Sequence, residues 1–292
     1  LLVCIDIKMA ATAQMADYVL APKMCLERED VTLLTDIWHD KPYSQYTQTV
    51  VEAEGDKIEE WEFFWAMGKR MGLNMSMANG PINMQEKPKK FDLLANITQG
   101  SRVPLQEIYN TEGGKIFDVP DVILDAPDPT TRGRLQLFPP GLEQELEASH
   151  NDMKSSGTKD YPLLLISRRM KNTYNSTGPE LSLLKSKGTT NPAFMHPQEL
   201  AALQVADGDI VEVHSRHGAI PAVVTASDDI RPGVISMSHC WGGSPDPTAN
   251  ADQRVREIGS NTNRLIDNLE NAERYSGMCR QSSIPVAIRK LS

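Results

Sequence analysis

In Asp209-Ile-Val-Glu-Val-His-Ser215, apolar and polar residues alternate, and a second apolar run, Gly218-Ala-Ile-Pro-Ala-Val-Val-Thr225, follows after only two residues. Alternation of this kind is typical of a β-strand with one buried face. Further runs of strand length lie before and after this pair: Tyr161–Ile166, Gly233–Met237 and Ile284–Arg289. The short helix His196–Leu203, with Pro197 in its first turn, lies between Tyr161–Ile166 and Asp209–Ser215. The second half of the chain therefore predicts a compact barrel of about six strands.

The first 75 residues show an α/β pattern instead. Leu1–Ile7 is an apolar strand, Ala10–Ala16 is compatible with a helix, and Asp17–Pro22 is a second short strand closed by proline. Glu59–Gly72 carries apolar residues at helical spacing and ends in glycine, which predicts a helix whose aromatic stripe packs into a core. Because the first strand begins without an initiator Met or a signal peptide, we expect this chain to be part of something longer.

The middle of the chain is rich in Pro, Gly, Asn, Asp and Lys and predicts an irregular α/β connecting region. Phe91–Thr98 and Val103–Tyr109 favour short helices, and Gly133–Phe138 alternates like a strand. The segment His150–Asp160 has the composition of an exposed linker. We therefore expect three parts, at residues 1–75, 76–160 and 161–292.

Composition excludes several classes of protein. The chain has 292 residues, is 40% hydrophobic and 24% charged, and carries a formal net charge of −9. This charge disfavours a broad nucleic-acid-binding face, which relies on clustered Lys and Arg. No apolar run approaches the roughly 18 residues that a transmembrane helix needs. The four cysteines, Cys4, Cys25, Cys240 and Cys279, form no C-x-x-C pair, so we expect free thiols rather than a zinc or iron–sulfur site.

Two polar features at strand ends suggest contacts with a nucleotide. Ser167–Gly178 follows directly on a strand and combines three cations with hydroxyl and amide groups, which can bind phosphate oxygens. Asp6 ends the first strand, where its carboxylate can accept hydrogen bonds from a guanine or a ribose, and Thr12 lies one turn further on. On the residues alone, a solvated basic loop and a surface aspartate that caps a helix remain open as alternatives.

The loop after the Gly233 strand places imidazole, thiol, indole and glycine backbone groups together. In Ser238-His-Cys-Trp-Gly242, His239 has no Asp, Glu or His at metal-ligand spacing, so we assign no metal ligand. Cys240 has no marked partner base, so we assign no catalytic residue. His239 is either a structural histidine or part of a pocket for a flat, polar heteroaromatic ligand.

These segments together carry a resemblance that extends over the length of the chain. They resemble the C-terminal part of the molybdopterin oxidoreductases of the dimethyl-sulfoxide-reductase family. The matching residues are Asp17–Pro22 with Glu27, Asn191-Pro192, Asp207-Gly-Asp209 with Val211, Gly218, Pro232-Gly-Val234, Ser238–Gly242, Asn263-x-Leu265 and Ser276-Gly-Met278 to Ile284-Pro-Val286. Many members of the family have glycine at the position of Cys240.

The resemblance implies both a fold and a cofactor. Residues 1–75 would be the end of a Rossmann-like α/β domain, and residues 161–292 would be a molybdopterin-dinucleotide-binding domain, a mainly β, six-stranded double-psi β-barrel. The cofactor would be bis(molybdopterin guanine dinucleotide) with molybdenum or tungsten. The resemblance also implies these cofactor contacts: Asp6 and Thr12 at one guanosine, Ser167, Arg168, Asn175 and Ser176 at the other nucleotide or its phosphates, and His239, Trp241, Gly242, Asn263 and Gln281 at the pterin.

The resemblance further implies what lies outside this sequence. A 4Fe–4S cluster and the protein ligand of the metal would belong to a missing N-terminal half of the same enzyme, and an iron–sulfur electron-transfer subunit is the expected partner. The whole would catalyse two-electron redox chemistry or oxygen-atom transfer, in the cytoplasm or the periplasm. The alternative is a stand-alone molybdopterin-binding or accessory module without activity of its own. Upstream sequence with a cysteine cluster motif would favour the enzyme.

Overall fold

The structure is a computed structural model. It describes residues 1–33, 38–121, 137–153, 157–171, 173–178, 181–185, 190–243, 251–267, 272 and 276–291. The chain forms two compact units, Leu1–Arg134 and Leu135–Ser292, and the predicted division at residues 75 and 160 stays a prediction. Within the described ranges, no helix is long and apolar enough to cross a membrane.

The first unit begins with two parallel strands and the helix that connects them. Strand β1 (Val3–Ile5) and strand β2 (Tyr18–Leu20) pair in parallel, with Val3 opposite Tyr18. Helix α1 (Ala11–Met15) makes the crossover that parallel strands require, and it buries Ala13. The α/β pattern predicted for this segment is therefore present as one β–α–β unit, with each element shorter than the sequence suggested.

The rest of the first unit is built from short elements around a small core. Its core residues are Val31, Tyr46, Leu94, Val103, Leu105, Ile108 and Phe117. The elements are β3 (Asp30–Val31), β4 (Tyr43–Ser44), β5 (Tyr46–Thr47), α2 (Glu60–Arg70), β6 (Ser76–Met77), β7 (Gly80–Pro81), α3 (Lys90–Ile97), α4 (Leu105–Tyr109) and β8 (Lys115–Ile116), with a 3₁₀ helix at Cys25–Glu27. The two short helices predicted between residues 91 and 109 correspond to α3 and α4.

Helix α2 has the predicted ends but not the predicted packing. The backbone N–H of Glu59 donates to Glu62 Oε2 at 2.8 Å, and the Glu59 side chain accepts from the N3 backbone N–H, which forms a capping box. Gly72 follows the helix with φ of +69°. The aromatic stripe does not form a core, because Phe64 and Met71 are 56% and 65% exposed and Gly68 is the only buried residue of the helix.

The second unit contains a closed six-stranded barrel. Its elements are α5 (Leu142–Met153), β9 (Leu163–Arg168), α6 (Ser182–Lys185), β10 (Ala193–Met195), α7 (Pro197–Ala202), β11 (Ile210–His214), β12 (Ala219–Ala226), β13 (Val234–Ser238), α8 (Ala251–Ile258) and β14 (Ile284–Lys290), with a 3₁₀ helix at Thr262–Leu265. The strands close in the order β10, β12, β11, β14, β9, β13. The predicted mainly β domain with a barrel of about six strands is confirmed.

The barrel core follows from the alternation seen in the sequence. In β11, Val211 and Val213 are fully buried while the residues between and beside them are half-buried. The same alternation in β12 buries Ile220, Ala222 and Val224. Successive side chains of a strand point to opposite faces, so every second residue shares a face. Each strand therefore contributes one apolar row to the interior. Strand β10 was not predicted, because three residues are too few to show this period.

Two expectations fall partly outside the described residues. Of the strand predicted at Gly133–Phe138, residues 133–136 are not described, and Leu137 and Phe138 form a bend. The predicted exposed linker His150–Asp160 begins inside helix α5, which continues to Met153. Residues 154–156 of that linker lie outside the described ranges.

Candidate functional site

Two parallel strands bring the candidate loops to one end of the barrel. Strands β9 and β13 pair in parallel, with Ser167 opposite Met237 and Arg168 opposite Ser238. Because parallel strands end at the same edge, the loop that follows Arg168 and the loop that follows Ser238 start side by side. Strand β14 runs antiparallel to β9 and begins with Ile284 opposite Leu165, so the residues just before Ile284, including Gln281, approach the same end.

A direct contact joins the two loops. The Ser167 hydroxyl lies 3.3 Å from Nδ1 of His239, and either atom can donate, depending on the imidazole tautomer. Ser167 is exposed and His239 is half-buried. The pair combines a hydroxyl with an imidazole whose second nitrogen, Nε2, has no hydrogen-bond partner among the described residues.

Arg168 lies against an aromatic ring that belongs to another strand of the barrel. Its guanidinium carbon is 3.9 Å from the centre of the Phe194 ring in β10. Stacking of this kind fixes the plane of a guanidinium without occupying its N–H donors, which stay free to bind a planar or tetrahedral anion.

Asn175 and Ser176 occupy the middle of a tight turn. The backbone N–H of Thr177 donates to the carbonyl oxygen of Tyr174 at 2.9 Å, and Asn175 adopts a left-handed φ of +52°. The Arg169 guanidinium donates to Oδ1 of Asn175. Both central residues are exposed. The turn therefore presents an amide, a hydroxyl and a cation on the same loop.

Trp241 and Gly242 are closely packed residues of the loop that follows Ser238. Trp241 is only 7% exposed, and its indole N–H is buried without a hydrogen-bond partner among the described residues. Gly242 has φ of +81°, and a Cβ there would lie 2.5 Å from the backbone nitrogen of Asn261. Only glycine tolerates both that φ and so close an approach of another backbone.

A buried asparagine connects three chain segments close to Gly242. The Asn191 amide donates to the carbonyl oxygens of Ser238 and Ser260, both at 2.8 Å, and its Oδ1 accepts from the backbone N–H of Ser260 at 2.8 Å. Asn191 is 2% exposed. Gly259 has φ of +70°, and a Cβ there would lie 2.2 Å from Asn191 Oδ1. Asn191 therefore joins the end of β13 to the segment that leads towards Asn263.

Asn263 and Gln281 lie on two segments that lead to the same end of the barrel. Asn263 belongs to the 3₁₀ helix Thr262–Leu265, whose start is capped by Asn261 Oδ1 accepting the Asn263 backbone N–H at 3.0 Å. The Asn263 and Gln281 residues are both exposed. Their side-chain amides can each offer a donor and an acceptor to a heterocycle edge.

Cys240 lies between His239 and Trp241 in a conformation that favours glycine. Its φ is +67°, in the left-handed region. Partial burial raises the pKa of the Cys240 thiol, and the positive charge of Arg169 offsets part of that effect. A raised pKa keeps the thiol protonated at neutral pH, which argues against a nucleophilic role.

Asp6 and Thr12 belong to the first unit. The Asp6 backbone N–H donates to the Leu20 carbonyl oxygen at 3.2 Å, and Asp6 Oδ1 accepts from the Lys8 backbone N–H at 3.2 Å. Asp6 is half-buried directly after β1, and Thr12 is exposed on α1. Both therefore lie at the carboxyl end of β1 or on the crossover helix that follows it.

The barrel end thus brings together residues that are distant in sequence. Ser167, Arg168, Asn175, Ser176, His239, Trp241 and Gly242 lie on the two loops that start side by side, while Asn263 and Gln281 lie on segments joined to the same end. Among the described residues, no group of three or more His, Cys, Asp or Glu side chains is arranged to bind a metal ion.

Two residues of this arrangement received no role from the sequence. Phe194 carries no local signal, because its importance comes from a contact with another strand. Asn191 stands in the Asn-Pro pair that forms part of the resemblance, and an amide directly before a strand was the available signal. Its three hydrogen bonds to segments 47 and 69 residues away are visible only in three dimensions.

Comparison with known proteins identifies families and enzymes to which this chain is similar. The profile of the "Molydopterin dinucleotide binding domain" family matches residues 163–283, which cover β9 to the start of the last strand. Trimethylamine-N-oxide reductase of Haemophilus influenzae is 23% identical over 80% of this chain and 31% of its own length. Dimethyl sulfoxide/trimethylamine N-oxide reductase of Rhodobacter capsulatus is 24% identical over 95% of this chain and 36% of its own length.

A solved structure shows the same fold. Acetylene hydratase from Pelobacter acetylenicus superposes with a TM-score of 0.70 at 21% identity, covering 99% of this chain and 40% of that one. The chain spans about a third of the length of the curated relatives that it matches. Residues 163–283 match the family of molybdopterin-dinucleotide-binding domains, and the chain is similar over most of its length to part of the trimethylamine-N-oxide and dimethyl sulfoxide reductases.

Proposed function

We propose that this chain is the cofactor-binding portion of an oxidoreductase that uses bis(molybdopterin guanine dinucleotide) with molybdenum or tungsten. The observation that carries the proposal is the parallel pairing of β9 and β13, which places the Ser167–Gly178 loop beside the His239–Gly243 loop. A dinucleotide cofactor needs groups that donate hydrogen bonds to phosphate next to a pocket for a heterocycle. The first loop carries groups suited to phosphate, and the second carries groups suited to a heterocycle.

The phosphate side of the proposed site rests on Arg168 and the turn at Asn175. The Arg168 guanidinium is oriented by Phe194 and keeps its fork of N–H donors for phosphate oxygens. Ser167, Asn175 and Ser176 add hydroxyl and amide donors from the same loop. The acidic net charge of the chain does not oppose this assignment, because three cations, Arg168, Arg169 and Lys171, lie close together in this loop.

The pterin side rests on His239, Trp241, Gly242, Asn263 and Gln281. The unpartnered indole N–H of Trp241 fits this assignment, because an unpaired buried donor is costly and an acceptor on a bound ligand would satisfy it. Gly242 removes a side chain that would otherwise crowd the loop, and the Asn263 and Gln281 amides are exposed and able to pair with the edge of a pterin.

For the first unit, the proposal assigns the β1–α1–β2 unit to the end of a Rossmann-like domain. Asp6, at the carboxyl end of β1, would accept hydrogen bonds from one guanosine, and Thr12 would add a hydroxyl. The barrel would have double-psi topology. The parts expected outside this chain remain those of the whole enzyme: the metal ligand, a 4Fe–4S cluster and an iron–sulfur electron-transfer partner.

When bound, the cofactor would supply the metal centre for two-electron redox chemistry or oxygen-atom transfer, while these residues bind and orient it. The relatives include enzymes named as trimethylamine-N-oxide reductase, acetylene hydratase and F420-dependent formate dehydrogenase. Substrate choice would therefore rest on residues outside the site described above.

Cofactor loading tests this proposal. The full chain is produced in cells that synthesise the cofactor, and bound molybdenum or tungsten and the guanine nucleotide released by acid are both measured. We expect wild type to retain the nucleotide and Arg168→Ala to lose most of it. Arg289→Ala is the matched control, because Arg289 lies at the far end of β14 and is 69% exposed. Absence of nucleotide from wild type, or equal loading of the two variants, would contradict the proposal.

Turnover separates the enzyme from the alternative of a stand-alone module. If the loaded protein, together with any further polypeptide encoded with it, reduces or oxidises substrates under anaerobic conditions, the enzyme is supported. Loading without turnover by the complete gene product would favour the accessory module.

A further inference from the structure

We propose that Asn191 is a positioning residue that preorganises the pterin side of the site, an inference that rests on the proposed function. Asn191 lies just before β10, which runs antiparallel to β13 with Phe194 opposite Ser236. The start of β10 is therefore at the barrel end where β13 delivers His239. Asn191 itself is buried.

The hydrogen bonds of Asn191 reach both segments that carry the assigned pterin contacts. Ser238, whose carbonyl oxygen accepts from the amide, immediately precedes His239. Ser260 is bonded at both its carbonyl oxygen and its N–H, and it lies three residues before Asn263. One side chain therefore joins Ser238 and Ser260, the residues that lead to His239 and Asn263.

The residues around Asn191 are closely packed. A Cβ at Gly259 would overlap Asn191 Oδ1, and a Cβ at Gly242 would lie 2.8 Å from the carbonyl carbon of Ser260. The backbone N–H of Gly242 also donates to the Ile258 carbonyl oxygen at 2.9 Å. The two segments are thus in direct backbone contact, and the amide of Asn191 satisfies the polar groups that this contact buries.

The argument assigns a role that a generic core residue does not have. Loss of the amide leaves two buried carbonyl oxygens and one buried N–H without partners, all of them in the site segments. The expected response is local opening of those segments rather than unfolding of the barrel, because the barrel core contains no contribution from the Asn191 side chain. The ligand would then bind to a site that must be reordered first, which weakens its apparent affinity.

The test compares Asn191→Ala with Val213→Ala in the full chain. Val213 is fully buried in β11 and pairs with Ile220 and Ile288, so its truncation destabilises the barrel without touching the site segments. Hydrogen exchange measured by mass spectrometry on cofactor-free protein reports local opening. We expect Asn191→Ala to accelerate exchange in peptides that contain Ser260 and Trp241 by about tenfold or more, and Val213→Ala to leave them near wild type at matched stability.

Cofactor content gives the second readout. We expect Asn191→Ala to retain about a tenth or less of the guanine nucleotide that wild type retains, and Val213→Ala to retain most of it. Asn191→Asp keeps the acceptor for the Ser260 N–H but loses both donors, so it should resemble Asn191→Ala in both measurements. Normal loading of Asn191→Ala despite faster exchange, or equal effects of the two truncations, would overturn the positioning role. A wild-type chain that binds no cofactor while the exchange result holds would instead overturn the proposed function.

Discussion

The guanidinium carbon of Arg168 lies 3.9 Å from the centre of the Phe194 ring, although the two residues belong to different strands and are not neighbours in the barrel order. The contact orients the guanidinium of Arg168, which is proposed to bind phosphate. The sequence shows only that Arg168 is basic, whereas the contact defines the orientation of its guanidinium.

We expect this pair to be energetically coupled. Phe194→Leu and Arg168→Met each remove one partner while retaining apolar volume. A double-mutant cycle, followed by chemical denaturation of the full chain, should give a coupling free energy of about 0.5–1 kcal/mol. Additive effects of the two substitutions would show that the stack does not contribute to stability.

Gly242→Ala should be more destabilising than an ordinary glycine substitution at positive φ. The added methyl would approach the Asn261 nitrogen to 2.5 Å in addition to the cost of a φ of +81°. Gly233→Ala is the matched control, because Gly233 has φ of +82° and nothing within 4 Å of the added carbon. We expect a loss of about 1 kcal/mol in the free energy of unfolding for Gly233→Ala, and about 1–3 kcal/mol more for Gly242→Ala. Equal losses would contradict the close packing of Gly242 against Asn261.

Removal of the Trp241 N–H should have opposite effects on stability and on ligand binding. Benzothienylalanine at this position replaces the N–H by sulfur and keeps the shape of the ring. Because the N–H is buried without a partner among the described residues, its removal should raise the free energy of unfolding of the cofactor-free protein, by roughly 1 kcal/mol. Cofactor retention should fall about three- to tenfold if the bound ligand accepts this hydrogen bond. Unchanged retention would remove Trp241 from the assigned contacts.

Alkylation of Cys240 should be slow at neutral pH. Partial burial raises the pKa of its thiol, so less thiolate is present at a given pH than in a free cysteine, and thiolate is the reactive form. In a variant with Cys4, Cys25 and Cys279 replaced by serine, the iodoacetamide rate should reach half its maximum at a higher pH than N-acetylcysteine does. Arg169→Gln should move that midpoint further upward, because Arg169 lowers the pKa of the Cys240 thiol. A midpoint at or below that of the free thiol would show that the charge of Arg169 outweighs burial.

The sequence by itself determined much of the secondary structure and the class of the second unit. Period-two alternation marked β11 and β12, because every second side chain of a strand faces the core whatever its neighbours are. Proline at the first turn and glycine after the last turn marked the ends of α7 and α2 for similarly local reasons. The aromatic stripe of α2 was misjudged, because periodicity shows that a face is apolar but not that other elements cover it.

Only the tertiary structure decided how the site residues meet. The parallel pairing of β9 with β13 sets Arg168 opposite Ser238 across 70 residues of sequence, and no local propensity specifies which strands become neighbours in a barrel. The proposed roles of Asn191 and Phe194 likewise depend on which strands are brought together, since both residues contact other strands. Local patterns reflect forces between residues close in sequence, whereas the site depends on barrel closure, which places distant segments within hydrogen-bonding distance.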